Sequence, residues 1–322
     1  MTARRLVAAV ALALIAAAPQ GSGYVTADGR FRVVGYNDMD EMLGDAARRI
    51  ALSGSATRYE FDLKSTRSAP AAFIAGTSLL APMGAAMEPA DRAAFRAAWG
   101  NDPVAFRIAH DSLVPGTLSS PTAILVAADN PLRRITLAQV RRVFAPGIGV
   151  KPITRWGELG LGGRWRTQPI RAVALAGDTA IGRFALAGPL RAPAFAATVE
   201  GERQSRDVAA AVAADAAAIG LANANFAGPR VRALAITDDR GATVAPTRAG
   251  IRSGRYPFDR FLLIYARPEA DGGIARPARL LLESLLSPQG QAAIARQSRG
   301  YIPLNRAELA IERAKLKKMS RS

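Results

Sequence analysis

Phe31-Arg32-Val33-Val34-Gly35-Tyr36-Asn37-Asp38-Met39, continuing from Asp40 to Ile50, is the stretch that decides the fold. Phe31 to Gly35 is a short strand ending on glycine. From Asp38 the apolar positions Met39, Met42, Leu43, Ala46 and Ile50 recur at helical spacing on one face. The pattern then repeats. Arg58 to Leu63 is a second strand, Ser65-Thr66-Arg67-Ser68 a hydroxyl-rich turn, Pro70 to Ala75 a helix closed by Gly76, and Ser78 to Pro82 a third, apolar strand. Such alternation predicts an α/β chain with an open sheet and ligands outside the carboxyl ends of its strands. Three strand-to-helix junctions converge there.

The middle of the chain repeats the grammar. Thr122 to Ala127 is a β-type run, and Thr136 caps a helix carrying Leu137, Val140, Val143 and Phe144. Ile170 to Leu175 is a strand, the turn Ala176-Gly177-Asp178-Thr179 follows, and another helix begins. Asp207 to Ala217 is an alanine-rich helix before Ile219-Gly220-Leu221, and Phe261 to Tyr265 is a strongly apolar strand. Pro277 to Leu286 and Pro288 to Arg296 are helices with proline at or near the first position. No repeat or low-complexity linker separates these pieces, so two lobes joined by more than one crossing fit better than two beads on a string.

At 322 residues, 49% hydrophobic and 21% charged, the chain has room for two cores and is not a disordered protein. Met1 to Ser22 reads as a secretory signal: Arg4 and Arg5, an apolar run from Leu6 to Ala18, then Pro19-Gln20-Gly21-Ser22. An uncleaved anchor is the alternative. There is no cysteine, which excludes an acylated-cysteine anchor, disulfides and thiolate metal sites. The 43 basic against 26 acidic residues, formally +17, bias the protein toward anionic partners. Nucleic-acid binding is not indicated: no zinc-finger, RRM, KH or helix-turn-helix signature is present, and aromatics are only 6%. The cluster Arg306, Arg313, Lys315, Lys317, Lys318 and Arg321 reads as a solvated basic tail, or as a membrane- or partner-binding helix.

Several short runs, in order, resemble the phosphate-binding-protein (PstS-like) family. They are Asp129-Asn130-Pro131-Leu132, Leu137-Ala138-Gln139-Val140 with Phe144, Thr154-Arg155-Trp156-Gly157-Glu158-Leu159-Gly160 and Ala218-Ile219-Gly220-Leu221, then Arg255-Tyr256-Pro257 with Arg260-Phe261, Ser287-Pro288-Gln289-Gly290-Gln291 and Gly300-Tyr301-Ile302-Pro303-Leu304. The resemblance spans about Gly35 to Leu304. It implies a type II periplasmic-binding-protein fold, two Rossmann-like lobes with a ligand cleft between them. It also implies a periplasmic monomer that binds phosphate or a related oxyanion and delivers it to an ABC permease, with membrane contact only through that permease or the basic tail. The expected division is a signal peptide at 1–22, lobe I at 23–125 and 246–305, lobe II at 126–245, and a basic tail at 306–322.

Oxyanion sites of this kind aim backbone N–H groups at the ligand and complete the set with hydroxyls and an arginine. This sequence departs from the family there. At Gly35-Tyr36-Asn37-Asp38-Met39, Asp38 stands where a hydroxyl is expected; it reads either as a helix cap or as a ligand contact beside Asn37. Thr66 and Ser68 hold the hydroxyl positions of the second junction. Arg67 is an extra arginine, either a bidentate anion contact or an exposed loop residue. The family's proline-methionine-serine-arginine run is Pro82-Met83-Gly84-Ala85 here, and its arginine before serine-glycine-threonine corresponds loosely to Leu175 through Asp178, Thr179 and Ala180. Each lost charge-assisted donor costs ~1.5–3 kcal/mol, so several losses weaken phosphate binding. Arg171 and Arg183 are candidate replacements.

No motif calls for a cofactor or a metal, and none for catalysis. His110, in Ala109-His110-Asp111-Ser112, is the sole histidine; triads are made by spatial geometry and not by adjacency, so a structural role is expected. The alternative to a transport protein is a degenerate binding scaffold with an interaction or sensing role in the envelope.

Overall fold

The computed structural model describes residues 23–319. The signal segment at 1–22, and Arg321 of the basic cluster, lie outside the described residues. The chain opens with β1 (Phe31–Gly35), a 3₁₀ turn at Asn37–Met39 and α1 (Asp40–Leu52). Next come β2 (Tyr59–Leu63), α2 (Ser68–Ile74), β3 (Leu80–Met83), α3 (Pro89–Trp99) and β4 (Val104–His110). It crosses into β5 (Thr122–Ala127), β6 (Arg134–Thr136), α4 (Leu137–Phe144), β7 (Arg171–Leu175) and α5 (Ala180–Ala185). These are followed by β8 (Glu200–Glu202), α6 (Ser205–Ala214), β9 (Ala218–Asn223), β10 (Val231–Ala233), β11 (Ala235–Thr237), β12 (Thr243–Val244) and α7 (Arg248–Arg252). The chain returns through β13 (Phe261–Ala266) and ends with α8 (Arg276–Leu285), α9 (Pro288–Arg296), β14 (Ile302–Pro303) and α10 (Arg306–Lys318).

Two large sheets with one plan result, beside a three-stranded sheet of order β12, β11, β6. In the first, β2 and β1 pair in parallel, and β1 lies beside β3 through Leu79 N–H to Arg32 O (2.9 Å) and Tyr36 N–H to Pro82 O (3.0 Å). β3 then pairs antiparallel with β13, which pairs antiparallel with β4. In the second the order is β8, β7, β9, β5, β10, with β5 antiparallel to both neighbours. In each of the two large sheets the strand that arrives from the other lobe runs antiparallel to both its neighbours, and β14 adds a short antiparallel pairing with β4 at the edge of the first. β5 carries the chain out, and β13 brings it back.

Gly35 shows why the first strand ends as it does: a Cβ there would sit 2.5 Å from the Pro82 carbonyl oxygen, so only glycine lets β1 and β3 close up. Each sheet is covered on both faces. Met39, Met42, Leu43, Ala46 and Ile50 of the first helix pack with Leu281, Leu282 and Leu285 on one face of the first sheet, and Phe73 stacks on Phe95 at 4.8 Å on the other. Each such fully buried apolar side chain contributes about 1.5–3 kcal/mol. In the second lobe the helix that starts at Leu137 carries the expected Thr136 cap as a full capping box with Gln139.

β5 is wholly paired within the second sheet. Ile251, Tyr256 and Phe258 pack with the core residues of that sheet. The crossings lie side by side: Asp111 N–H donates to Arg260 O and Thr122 N–H to Phe258 O, both at 3.0 Å. No compositional break marks them, because both are apolar strands entering a core.

The basic segment from Arg306 is not a solvated tail. It is helix α10, started by a capping box between Asn305 and Glu308 and docked on β4. Glu308, Glu312 and Leu316 form its buried stripe. Glu312 is 1% exposed and is held by Arg107 Nε at 2.6 Å and Lys315 Nζ at 2.5 Å. Two of its three most buried positions are carboxylates, and Leu309, Leu316 and Met319 pack on the core beside them.

Candidate functional site

The junctions of the first lobe converge as the βα pattern requires. Ser65 N–H donates to Gly35 O at 3.0 Å, with the Ser68 hydroxyl 3.4 Å from the same oxygen, and Gly84 N–H donates to Thr66 Oγ1 at 2.9 Å. Thr66 thus ties the second junction to the third while its own O–H stays available. Ser68 spends its proton on Ser65 O at 2.8 Å. Arg67 is exposed and Asn37 half-buried, and neither side chain has a protein partner among the described residues.

Asp38 is neither a helix cap nor open to the cleft. Its side chain is 2% exposed. Tyr301 Oη donates to its Oδ2 at 2.8 Å, Leu118 N–H to the same oxygen at 3.1 Å, and Arg299 Nη1 to Oδ1 at 3.1 Å. Burial and the Asp38 charge push the Tyr36 phenol well above its ordinary range, and burial together with Tyr36 and Asp38 does the same for Tyr301. Both therefore remain proton donors. The carboxylate faces inward because the 112–119 segment leaving β4 folds over this junction. Its Ser119 Oγ accepts from Tyr36 Oη at 3.2 Å and donates to Gly84 O at 3.1 Å. A Cβ on Gly84 would lie 2.7 Å from Ser119 Oγ and 2.7 Å from Tyr36 Cε1, so the family's serine cannot stand here unless its neighbours move.

From the second lobe, Thr179 caps α5: its Oγ1 accepts from Gly182 N–H at 3.0 Å and donates to Ala176 O at 2.7 Å. Asp178 is exposed and turned to Arg203. Of the candidate arginines, Arg171 sits at the amino end of β7, bound bidentately by Glu200 at 2.8 and 2.6 Å and remote from the strand ends that face the cleft. Arg183 is in the cleft, ion-paired across it with Glu88.

Between the lobes, a cavity of about 610 Å³ is lined by Ala85 to Pro89 on one side and Gly177 to Pro193 on the other. Most of its wall is apolar: Met87, Phe184, Leu186 and several alanines. Arg260, 8% exposed, completes it. Its Nη2 donates to Gly84 O at 2.9 Å, its Nη1 to Ser120 O at 3.3 Å, and its guanidinium carbon lies 5.8 Å from the centre of the Phe184 ring. This arginine stood in the sequence only as a landmark beside Arg255-Tyr256-Pro257. Nothing local to it signals that a return strand delivers it to the cleft.

Behind Arg260 lies a buried ionisable cluster. His110 is fully buried, with Nδ1 2.7 Å from Asp259 and Nε2 2.9 Å from Glu308. Burial disfavours its charge, but the two carboxylates outweigh burial and raise its pKa to about 9. Asp111, with Arg260 Nε 3.7 Å away, is pushed up to about 7 by burial against the pull of that arginine. Ser112 donates instead to Arg299 O at 2.7 Å, so His110, Asp111 and Ser112 form no triad.

Two lobes with matching sheet plans, two adjacent crossings and a cleft at the strand ends define a type II periplasmic-binding architecture. Solved structures agree on the fold. An ABC-type phosphate transport receptor from Vibrio cholerae superposes with a TM-score of 0.54 at 17% identity, covering 84% of this chain and 98% of that one. PstS from Borrelia burgdorferi gives 0.54 at 11%, covering 85% and 98%. A high-affinity periplasmic phosphate-binding protein solved with phosphate gives 0.50 at 16%, covering 88% and 92%. In sequence, the phosphate-binding protein PstS of Pseudomonas aeruginosa is 28% identical over 241 residues, 74% of this chain and 71% of that protein. No family model matches. In sequence and in fold the chain is similar, at a distance, to PstS-like phosphate-binding proteins.

Proposed function

We propose that the chain is an exported, periplasmic solute-binding protein that takes a small oxyanion, phosphate or a chemical relative, into its interlobe cleft for delivery to an ABC permease. The observation that carries this reading is the convergence of three lobe I junctions and the α5 junction around a cleft with a buried arginine on its wall. Kinship with named phosphate-binding proteins supports the transport role, and the signal pattern at the start of the sequence supports export. The available donors are the Thr66 hydroxyl, Arg67, Asn37 and Arg260. The proposed lobe boundaries are the crossings before Thr122 and after Phe258.

A second reading, a binding scaffold without phosphate affinity that serves an envelope interaction or sensing role, is favoured by one specific fact. Ser68 and Thr179 spend their protons on backbone carbonyls, and Asp38 is saturated by its own lobe. Titration calorimetry of the full chain with phosphate and sulfate separates the two. Heat at micromolar to millimolar anion, lost in Thr66→Ala, is the expected result; silence at millimolar phosphate, sulfate and organic phosphates sinks the binding reading.

A further inference from the structure

Resting on the solute-binding reading above, we infer that the cleft is built for an organic anion, an oxyanion head on an apolar body, rather than for a free tetrahedral anion. Size is the first reason. A cavity of about 610 Å³ falls within the roughly 300–1,000 Å³ range of pockets that enclose whole organic ligands. Chemistry is the second. A site for a bare oxyanion surrounds it with donors, because every oxygen removed from water must find a hydrogen bond. Here the wall offers Met87, Phe184, Leu186 and alanines, which can cover hydrocarbon but cannot donate to oxygen.

The third reason is where the charge sits. Arg183 is already neutralised by Glu88 across the cleft. Arg260 is the buried cation of the cavity, held in place by Gly84 O and Ser120 O, and these two bonds use only two of its five N–H groups. Its nearest carboxylate, Asp111, stands 3.7 Å off, with burial raising its pKa to about 7, so near neutral pH that carboxylate balances the guanidinium only in part. The Phe184 ring lies 5.8 Å from the same guanidinium, which puts a fixed cation and an aromatic face side by side on one wall. A ligand that presents an acidic head to Arg260 and a ring or short alkyl body to Phe184 and Leu186 satisfies both. Inorganic phosphate satisfies only the first.

The test is calorimetry on the full chain with two probes that share a head, inorganic phosphate and phenylphosphonate. Phenylphosphonate should bind at least roughly tenfold more tightly. Phe184→Ala, at a half-buried position, should erase that advantage in a protein whose melting temperature shows it folded. Arg260→Lys, which keeps the charge but loses the fork, should weaken both probes. Equal or tighter binding of phosphate overturns this inference and leaves the oxyanion reading standing. A phenylphosphonate preference that survives Phe184→Ala also overturns it, because the body then lies elsewhere. If neither probe binds, the solute-binding reading falls and this inference falls with it.

Discussion

The lobe I junctions and the lobe II wall of the cleft solve opposite problems with the residues they have. The junctions, set behind the cavity's own lining of Ala85 to Pro89, keep polar side chains, Tyr36, Asp38, Thr66, Ser68 and Ser119, and bind them to one another: Thr66 holds Gly84, Tyr301 and Arg299 hold Asp38, and Ser119 locks Tyr36 to Gly84. The lobe II wall replaces polarity with hydrocarbon at Ala180, Phe184 and Leu186 and leaves Arg183 to bridge the gap to Glu88. A hydroxyl in a binding loop therefore counts as a donor only if its proton is not already committed. By that measure Thr66 qualifies, whereas Ser68 and Thr179 do not.

The comparison breaks most readily at Asp38. Asp38→Ala removes the acceptor of four hydrogen bonds in a site 2% exposed, and should cost about 3 kcal/mol in urea unfolding. A loss below 1 kcal/mol, on the order expected of a surface change, would mean the carboxylate is free to meet ligand.

A pH series probes the cluster behind Arg260. His110 has a folded pKa raised from 6.5 to about 9, so its stabilising contribution is complete below 6.5 and disappears as pH climbs through 9. Asp111, raised from 3.8 to about 7, acts in the same direction over a lower window, because its charged form is the costly one once buried. Unfolding free energy should fall by a few kcal/mol between pH 6.5 and 9.5, because each tenfold difference in proton affinity between the folded and unfolded chain corresponds to about 1.4 kcal/mol. A flat profile there would show that His110 is neutral in the fold.

Gly84→Ala comes next. The added methyl meets Ser119 Oγ and Tyr36 Cε1 at 2.7 Å, so about 1–3 kcal/mol of overpacking strain should appear in thermal unfolding. No change in melting temperature would mean the 112–119 segment yields easily. The smallest pair sharpens the donor argument. Thr179→Ala should cost about 1 kcal/mol of cap stability and leave anion affinity intact, while Arg67→Ala should leave stability within about 0.5 kcal/mol and register only in binding. An affinity loss in Thr179→Ala would restore the lobe II hydroxyl to the site.

Much of this was legible in the letters. The alternation from Phe31 to Pro82 placed three junctions together, Thr136 capped its helix, and Thr66 stood at a position whose hydroxyl remains usable. Each depends on neighbours a few residues away, where turn chemistry and periodicity act. Helix α10 escaped because two carboxylates, Glu308 and Glu312, interrupt the inward side that carries Leu309 and Leu316.

By itself, then, the sequence determined the elements, their βα order, the family likeness and the residues offered to the cleft. Only the tertiary structure decided which of those residues keep a free proton or charge and which are taken up by partners within the protein. Asp38 turns inward because Tyr301 and Arg299 arrive from more than 260 positions away, and Arg260 reaches the cleft because β13 returns to the first sheet beside β4. Local rules set backbone conformation within a turn or two. The commitment of a proton or a charge is settled by whatever partner the finished fold brings within about 3 Å.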